Sequence, residues 1–280
     1  MMNDDVQKHR QRIYVLEDHI VQLVAFVDAD PHKHGVLQLS ISLGDHDHFV
    51  GPVPADRAAG RVQIVGSNQP HTFASGDGPT AIYWIEPECR LGAQLQGAFL
   101  RDAPFAVIPH DLLADAPLDN FVAAFVERWD GERFRPISYA LLASLAGRLS
   151  APENPVHPAV TRAVRFLRTL PHRKASAAAL ASHVGLSESR FLHLFKEHTG
   201  TPLRAYLAWK RLVDAMYAVL VDGRSLTDAA HEAGFSDAAH FNHVMNQYWG
   251  VNPSALFDDE RYVLEPVLAY QDFDAVRTPA

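Results

Sequence analysis

Leu180-Ala181-x-x-x-Gly185-Leu186-Ser187, running on into Phe191-x-x-x-Phe195-Lys196, is the stretch whose reading decides the fold of this 280-residue chain. Its echo, Ala229-Ala230-x-x-x-Gly234-Phe235-Ser236 running into Phe241-x-x-x-Met245-x-x-x-Trp249, begins 49 residues later. In each copy a short apolar-faced helix ends at a glycine able to take positive φ, and a second helix follows. In the first copy Leu180, Ala181, Val184 and Leu186 point inward, Ser187 can cap the following helix, and Phe191, Leu194 and Phe195 face the core. That leaves Ser189, Arg190, Leu192, His193 and Lys196 outward. In the second copy Ser225 caps the entry with Asp228 at the capping-box position, and Ala238, Ala239, Asn242, His243 and Asn246 lie outward.

Two helix-turn-helix units, at 177–198 and 225–249, are separated by one long helix. Gly200 ends the helix before it and Thr201-Pro202 starts it. From about Pro202 to Val221 it is about 30 Å long at 1.5 Å per residue. Successive major-groove faces on one side of B-DNA lie roughly 34 Å apart. A rod of this length can present two reading helices to consecutive grooves.

The net charge of −8 is unevenly distributed. Residues 155–257 carry 11 Lys+Arg against 7 Asp+Glu, while residues 1–154 carry 12 against 20 and residues 258–280 carry 2 against 6. Positive charge therefore collects around the repeated motif, where phosphates would be met. No apolar run of about 18 residues suggests a membrane span, and the polar start at Met1–Arg10 does not read as a signal peptide. Cys89 stands alone, which excludes an intramolecular disulfide and cysteine-based zinc sites. A cytoplasmic protein without membrane partners is expected.

Residues 32–108 alternate apolar and polar positions in short stretches, such as Val36-Leu37-Gln38-Leu39-Ser40-Ile41-Ser42-Leu43, with Gly and Pro between them. This pattern predicts a small β-sandwich or barrel. From about 110 the period becomes helical. One apolar stripe (Leu118, Phe121, Val122, Phe125, Val126, Trp129) ends at Asp130-Gly131, and another (Ile137, Leu141, Leu142, Leu145, Leu149) follows Pro136. The pair either caps the β-domain or makes a homodimer contact. Three prolines in residues 151–158 mark a linker. The expected fold class is α+β and multidomain. An effector-sensing β-barrel or sandwich occupies 1–109, a helical pair 110–150, an all-α double helix-turn-helix domain 159–257 and an acidic tail 258–280. The tail's Tyr262, Val263, Leu264, Val267, Leu268 and Tyr270 could pack on a neighbouring surface.

Residues from about 158 to 257 resemble the DNA-binding domain of the AraC/XylS family. The resemblance rests on Leu180-Ala181, Gly185-Leu186-Ser187, Phe195-Lys196, Gly200-x-Pro202, Tyr206-Leu207, Arg211-Leu212, Ala215, Ala229-Ala230, Gly234-Phe235-Ser236, Phe241 and Gly250-Val251-Asn252-Pro253-Ser254. It implies a seven-helix domain, often joined to an N-terminal, cupin-like sensing domain. Family members usually carry arginine at the positions of His193 and His243, an aromatic-lysine pair at Met245-Asn246, and a tyrosine-arginine ending at Leu256-Phe257. The second head thus has few fixed cations, and the first is expected to supply most contacts. Histidines at both heads gain charge in mild acid, so DNA binding is expected to strengthen there.

His32-Lys33-His34, Gln38 and Pro70-His71 form the other constellation. Histidines at i and i+2 on a strand share a face, and a third from another strand with Gln38 as oxygen donor would complete a facial site. The pattern is similar to cupin metal motifs, without the glycine expected before Pro70. A divalent metal is the candidate cofactor; otherwise these side chains line an effector pocket. His46 and His48 read as a solvated turn, and Glu86-Pro87-Glu88-Cys89 as a pocket border. The expected function is a ligand-responsive transcriptional regulator, an activator or repressor without enzymatic activity. Its partners would be promoter duplex DNA, a small-molecule effector and RNA polymerase. The alternative is a metal-dependent cupin enzyme fused to a DNA-binding module.

Overall fold

Side chains alternate across a strand, and here that alternation sorts the N-terminal half into layers. The computed structural model describes residues 11–16, 19–101, 103–151, 155–170, 174–220, 222–249 and 262–266; for 220, 238, 247, 249 and 262–266 only the backbone is described. The strands are β1 (Gln11–Val15), β2 (His19–Val24), β3 (Asp28–His32), β4 (Leu37–Ser42), β5 (His48–Gly51), β6 (Ala58–Gly60), β7 (Val62–Val65), β8 (His71–Ala74), β9 (Thr80–Ile85), β10 (Phe105–Val107) and β11 (Tyr262–Pro266). A large sheet runs β10-β7-β4-β9-β2-β1-β11 and a smaller one β3-β8-β5-β6. Strand pairing is antiparallel except at the edge, where β11 joins β1 in parallel register, Gln11 opposite Tyr262. A segment read as acidic tail thus closes one edge of the N-terminal sheet.

One face of the large sheet (Tyr14, Leu23, Leu37, Leu39, Ile41, Tyr83) packs under α1 (Arg90–Phe99), α2 (Leu118–Val126) and α3 (Gly131–Arg148). The other face (Ile13, Val15, Ile20, Val24, Ile82, Trp84) shares a core with Val50 and Phe73 of the small sheet. The sheet is therefore covered on both sides, and every residue of β2, β4 and β9 is buried. The polar positions of β4, Gln38, Ser40 and Ser42, are buried as well.

Helix α1 departs from the all-strand expectation for 32–108. Its two glycines weaken the helical signal. Gly92 is needed because a Cβ there would lie 2.3 Å from the Glu86 carbonyl oxygen. Asp130 does not end a helix but caps α3, accepting the Arg133 N–H at 2.8 Å, and Pro136 lies inside α3. The stripe residues Phe121, Phe125, Leu141, Leu142 and Leu145 are buried under the sheet. The stripes cap the β-domain.

The C-terminal part contains α4 (Pro158–Thr169), α5 (Ala177–Val184), α6 (Glu188–Thr199), α7 (Leu203–Leu220), α8 (Leu226–Glu232) and α9 (Ala238–Trp249). Any seventh helix, and most of the tail beyond 257, fall outside the described residues. The long helix α7 has 18 residues, about 27 Å at 1.5 Å per residue. Its first half (Leu203, Tyr206, Leu207) packs with α4, α5 and α6. Its second half (Trp209, Leu212, Ala215, Met216) packs with α8 and α9. No described helix is long and apolar enough to cross a membrane.

Candidate nucleic-acid interface and histidine cluster

The two heads are built by the same local chemistry. Gly185 and Gly234 take positive φ, 75° and 85°. Just beyond each, Leu186 N–H donates to the Ala181 carbonyl and Phe235 N–H to the Ala230 carbonyl, both at 3.0 Å. Ser187 Oγ caps α6 by accepting Arg190 N–H at 3.3 Å, and Ser225 Oγ caps α8 by accepting Asp228 N–H at 3.1 Å. The second head carries one more residue in its turn than the first, so α9 is capped by Asp237, whose carboxylate accepts His240 N–H at 2.7 Å. That hydrogen bond holds the Asp237 carboxyl below its ordinary pKa. The cap at Asp237 was missed in the sequence, although an aspartate three residues before His240 is a recognisable signal.

Phe191, Leu194 and Phe195 are buried, and Ser189, Arg190, Leu192, His193 and Lys196 are all exposed along the outer side of α6. On α9, Phe241, Val244 and Met245 are buried, Ala239, His243 and Asn246 exposed, and Asn242 half-buried. The side chain of Ala238 lies outside the described set. The five predicted outward side chains of α6 are thus all in solvent, as are Ala239, His243 and Asn246 of α9, whose buried side shares a core with the N-terminal half. Leu192, 36% exposed, is an apolar side chain on an otherwise polar face. The first head offers two fixed cations, Arg190 and Lys196. The described outward side chains of the second, including His240, offer none.

The histidine cluster assembles, though not as the strand rule predicted. His32 ends β3 and His34 lies in the bend before β4, so they do not share a strand. His71 opens β8 directly opposite His32. One ligand atom from each of His32, His34 and His71 lies within 4.8 Å of the others. Each Nδ1 sits on a backbone carbonyl two residues away: Asp30 at 2.8 Å, Val36 at 2.8 Å and Gln69 at 2.9 Å. Gln38 Oε1 is 3.1 Å from Nε2 of both His34 and His71, and Gln38 Nε2 donates to Ser40 Oγ at 3.1 Å. Burial, then the neighbouring histidines, pushes the imidazolium of His34 down to about 4 and of His71 to about 2, and burial lowers His32 as well. His48 belongs to no solvated turn. It is fully buried on β5, with Nδ1 3.0 Å from Ser42 Oγ, and burial pushes its pKa down to about 3.

Glu86 and Glu88 border the seam between the two halves. The Glu86 carboxylate, 5% exposed, takes Arg168 Nη2 of α4 on one oxygen at 3.0 Å and Lys210 Nζ of α7 on the other. Tyr206 Oη donates to Glu88. None of these three contacts is legible in the sequence, because the partners lie more than 80 residues apart.

A family model described as a helix-turn-helix domain matches residues 180–259. The HTH-type transcriptional regulator GlxA of Rhizobium meliloti is 27% identical over 149 residues, 50% of this chain and 46% of that protein. The arabinose operon regulatory protein of Escherichia coli is 26% identical over 115 residues, 39% of each. The chain thus spans less than half the length of these curated relatives. The crystal structure of ToxT from Vibrio cholerae aligns with a TM-score of 0.54 at 11% identity, covering 86% of this chain and 96% of that one. It shares this two-part fold of β-sheets followed by a helical domain. The named relatives are regulators, and they lend no support to the enzyme alternative. Residues 180–259 are therefore a helix-turn-helix domain similar to that of AraC-type regulators.

Proposed function

We propose that this chain is a ligand-responsive transcriptional regulator that binds promoter DNA through both heads and senses an effector in its β-domain. The observation that carries this reading is the pair of like-built heads on α7, each with its outer side in solvent. Arg190 and Lys196 meet phosphates, Ser189 and His193 reach base edges, and Leu192 offers an apolar contact of the kind that suits a thymine methyl. The second head reads through Ala238, Ala239, Asn242, His243 and Asn246, or follows groove shape. RNA polymerase and a second copy of the chain are partners in this reading, in the cytoplasm. The second copy would dock on the outer sides of α2 and α3, since their inward stripes are occupied.

Fluorescence anisotropy of the full chain with a random duplex pool tests the DNA reading. The expected result is binding that weakens steeply with salt, each phosphate contact adding about 0.9 to the log–log slope. Binding insensitive to salt, or no binding, would overturn it.

A further inference from the structure

The three histidines share a property that packing alone does not require. A carbonyl oxygen only accepts, so each Nδ1 facing one must carry a proton. In a neutral ring the other nitrogen, Nε2, is then a bare lone pair. Two of these, on His34 and His71, meet a third acceptor, Gln38 Oε1, at 3.1 Å. Backbone-anchored imidazoles with their free nitrogens converging are what orients histidine ligands around a metal. Ligation at about 2.0–2.1 Å requires the nitrogens to draw in to about 3.4 Å, from a cluster whose ligand atoms already lie within 4.8 Å of one another. His32 is only partly buried and leaves an entry.

The site also touches the reading machinery. A Cβ on Gly35, next to His34, would lie 3.4 Å from Thr201 Oγ1 and 4.0 Å from the Ala205 carbonyl oxygen. A Cβ on Gly200 would lie 3.3 Å from Ser67 Cβ, in the loop leading to His71. Both ligand-bearing loops therefore lie against the turn that joins α6 to α7, with little room for an added side chain at Gly35 or Gly200.

We infer that the effector is a divalent transition-metal ion, held by Nε2 of His32, His34 and His71 with Gln38 Oε1 beside it, and communicated to the first head through the Gly200–Thr201 turn. The effector role rests on the DNA-binding reading above; the metal site does not. Imidazole nitrogens with one amide oxygen suit zinc, nickel, cobalt or iron, and disfavour magnesium and calcium. Because Gln38 is an amide and the other donors are neutral imidazoles, the donor set is neutral, and the bound ion keeps its full charge. The opposite orientation of the Gln38 amide would donate two N–H groups to His34 and His71 and satisfy the cluster with no ion; the test separates the two.

The full chain, stripped with chelator and dialysed, is loaded with Co(II) or Zn(II) and passed through gel filtration. Metal content and Co(II) visible absorption are then read, followed by anisotropy with a duplex selected from the random pool. Wild type should hold about one ion per chain. His34→Ala, His71→Ala and the less buried His32→Ala should lose it. Gln38→Glu should bind at least about tenfold tighter, a gain that misfolding cannot mimic. Metal should shift wild-type duplex affinity by about 5- to 150-fold and leave the alanine variants unmoved. A wild-type chain that retains no metal but still binds duplex overturns this inference alone. Stoichiometric metal with unchanged duplex affinity overturns the effector role. Stoichiometric metal with no duplex binding in either state refutes the DNA-binding reading, and the effector role with it, while the metal site stands.

Discussion

Glu86→Gln keeps the shape of a buried side chain and removes the charge that joins the two halves. Its carboxylate faces Lys210, 3% exposed, and Arg168, 33% exposed. Breaking one side of a buried ion pair costs about 3–5 kcal/mol. The Arg168 contact is open to water, so its share is only about 0–1 kcal/mol. Most of the loss therefore falls on the Lys210 contact, which is buried in the seam with the Tyr206 ring 5.2 Å away. A loss of about 3 kcal/mol lowers Tm by about 6 °C or more, at about 2–4 °C per kcal/mol for chains of comparable size. Thermal unfolding reads the total, and amide exchange at Gly200–Ala205 reads loosening of the seam. Glu86→Gln combined with Lys210→Met removes both charges and should recover at least half the loss. A single variant within about 0.5 kcal/mol of wild type, or a double variant worse than the single, would refute the assignment of Glu86 as the charged link.

Arg190→Ala and Lys196→Ala should each weaken duplex binding and lower the salt slope by about 1; an unchanged slope in anisotropy titrations counts against phosphate contact by α6. His48, whose folded pKa is depressed to about 3, is protonated more readily when unfolded, so its contribution is full above the unfolded value and falls away as pH drops through about 6.5 towards 3. At pH 5 this group alone should cost about 2 kcal/mol, from about 1.4 kcal/mol per pH unit. A His48→Gln variant should flatten the acid limb of a Tm-against-pH profile, and a profile parallel to wild type would contradict that. Deleting residues from 258 onward removes β11 and bares the β1 edge; reduced Tm with concentration-dependent association in light scattering is expected, and an unchanged, monodisperse protein would speak against the pairing.

The heads were legible in the sequence because their chemistry is local. A glycine at positive φ, a capping hydroxyl and aromatic residues at i and i+4 all lie within one window, so Gly185, Ser187, Phe191 and Phe195 could be placed without tertiary information. The histidine cluster was legible only by residue type. His32 and His34 meet through a bend, and His71 joins them through cross-strand pairing, which no window contains. Alternation in β4 marks a strand but does not say what covers each side. Both faces are covered, and the polar residues Gln38, Ser40 and Ser42 line the inside with His34, His71 and His48. The Glu86–Lys210 link depends on residues far apart in the chain, the helix at 90–99 is obscured by Gly92 and Gly97, and the apolar run at 262–264 marks a packing segment without naming residues 11–15 as its partner.

Hydroxyl-radical footprinting of the full chain on a selected duplex bears most directly on the central claim that α7 sets two heads into neighbouring grooves. The expected result is two protected windows on one face of the duplex, centred about 10–10.5 base pairs apart, the stronger belonging to α6 and lost in Arg190→Ala. A single window, or two on opposite faces, would contradict it.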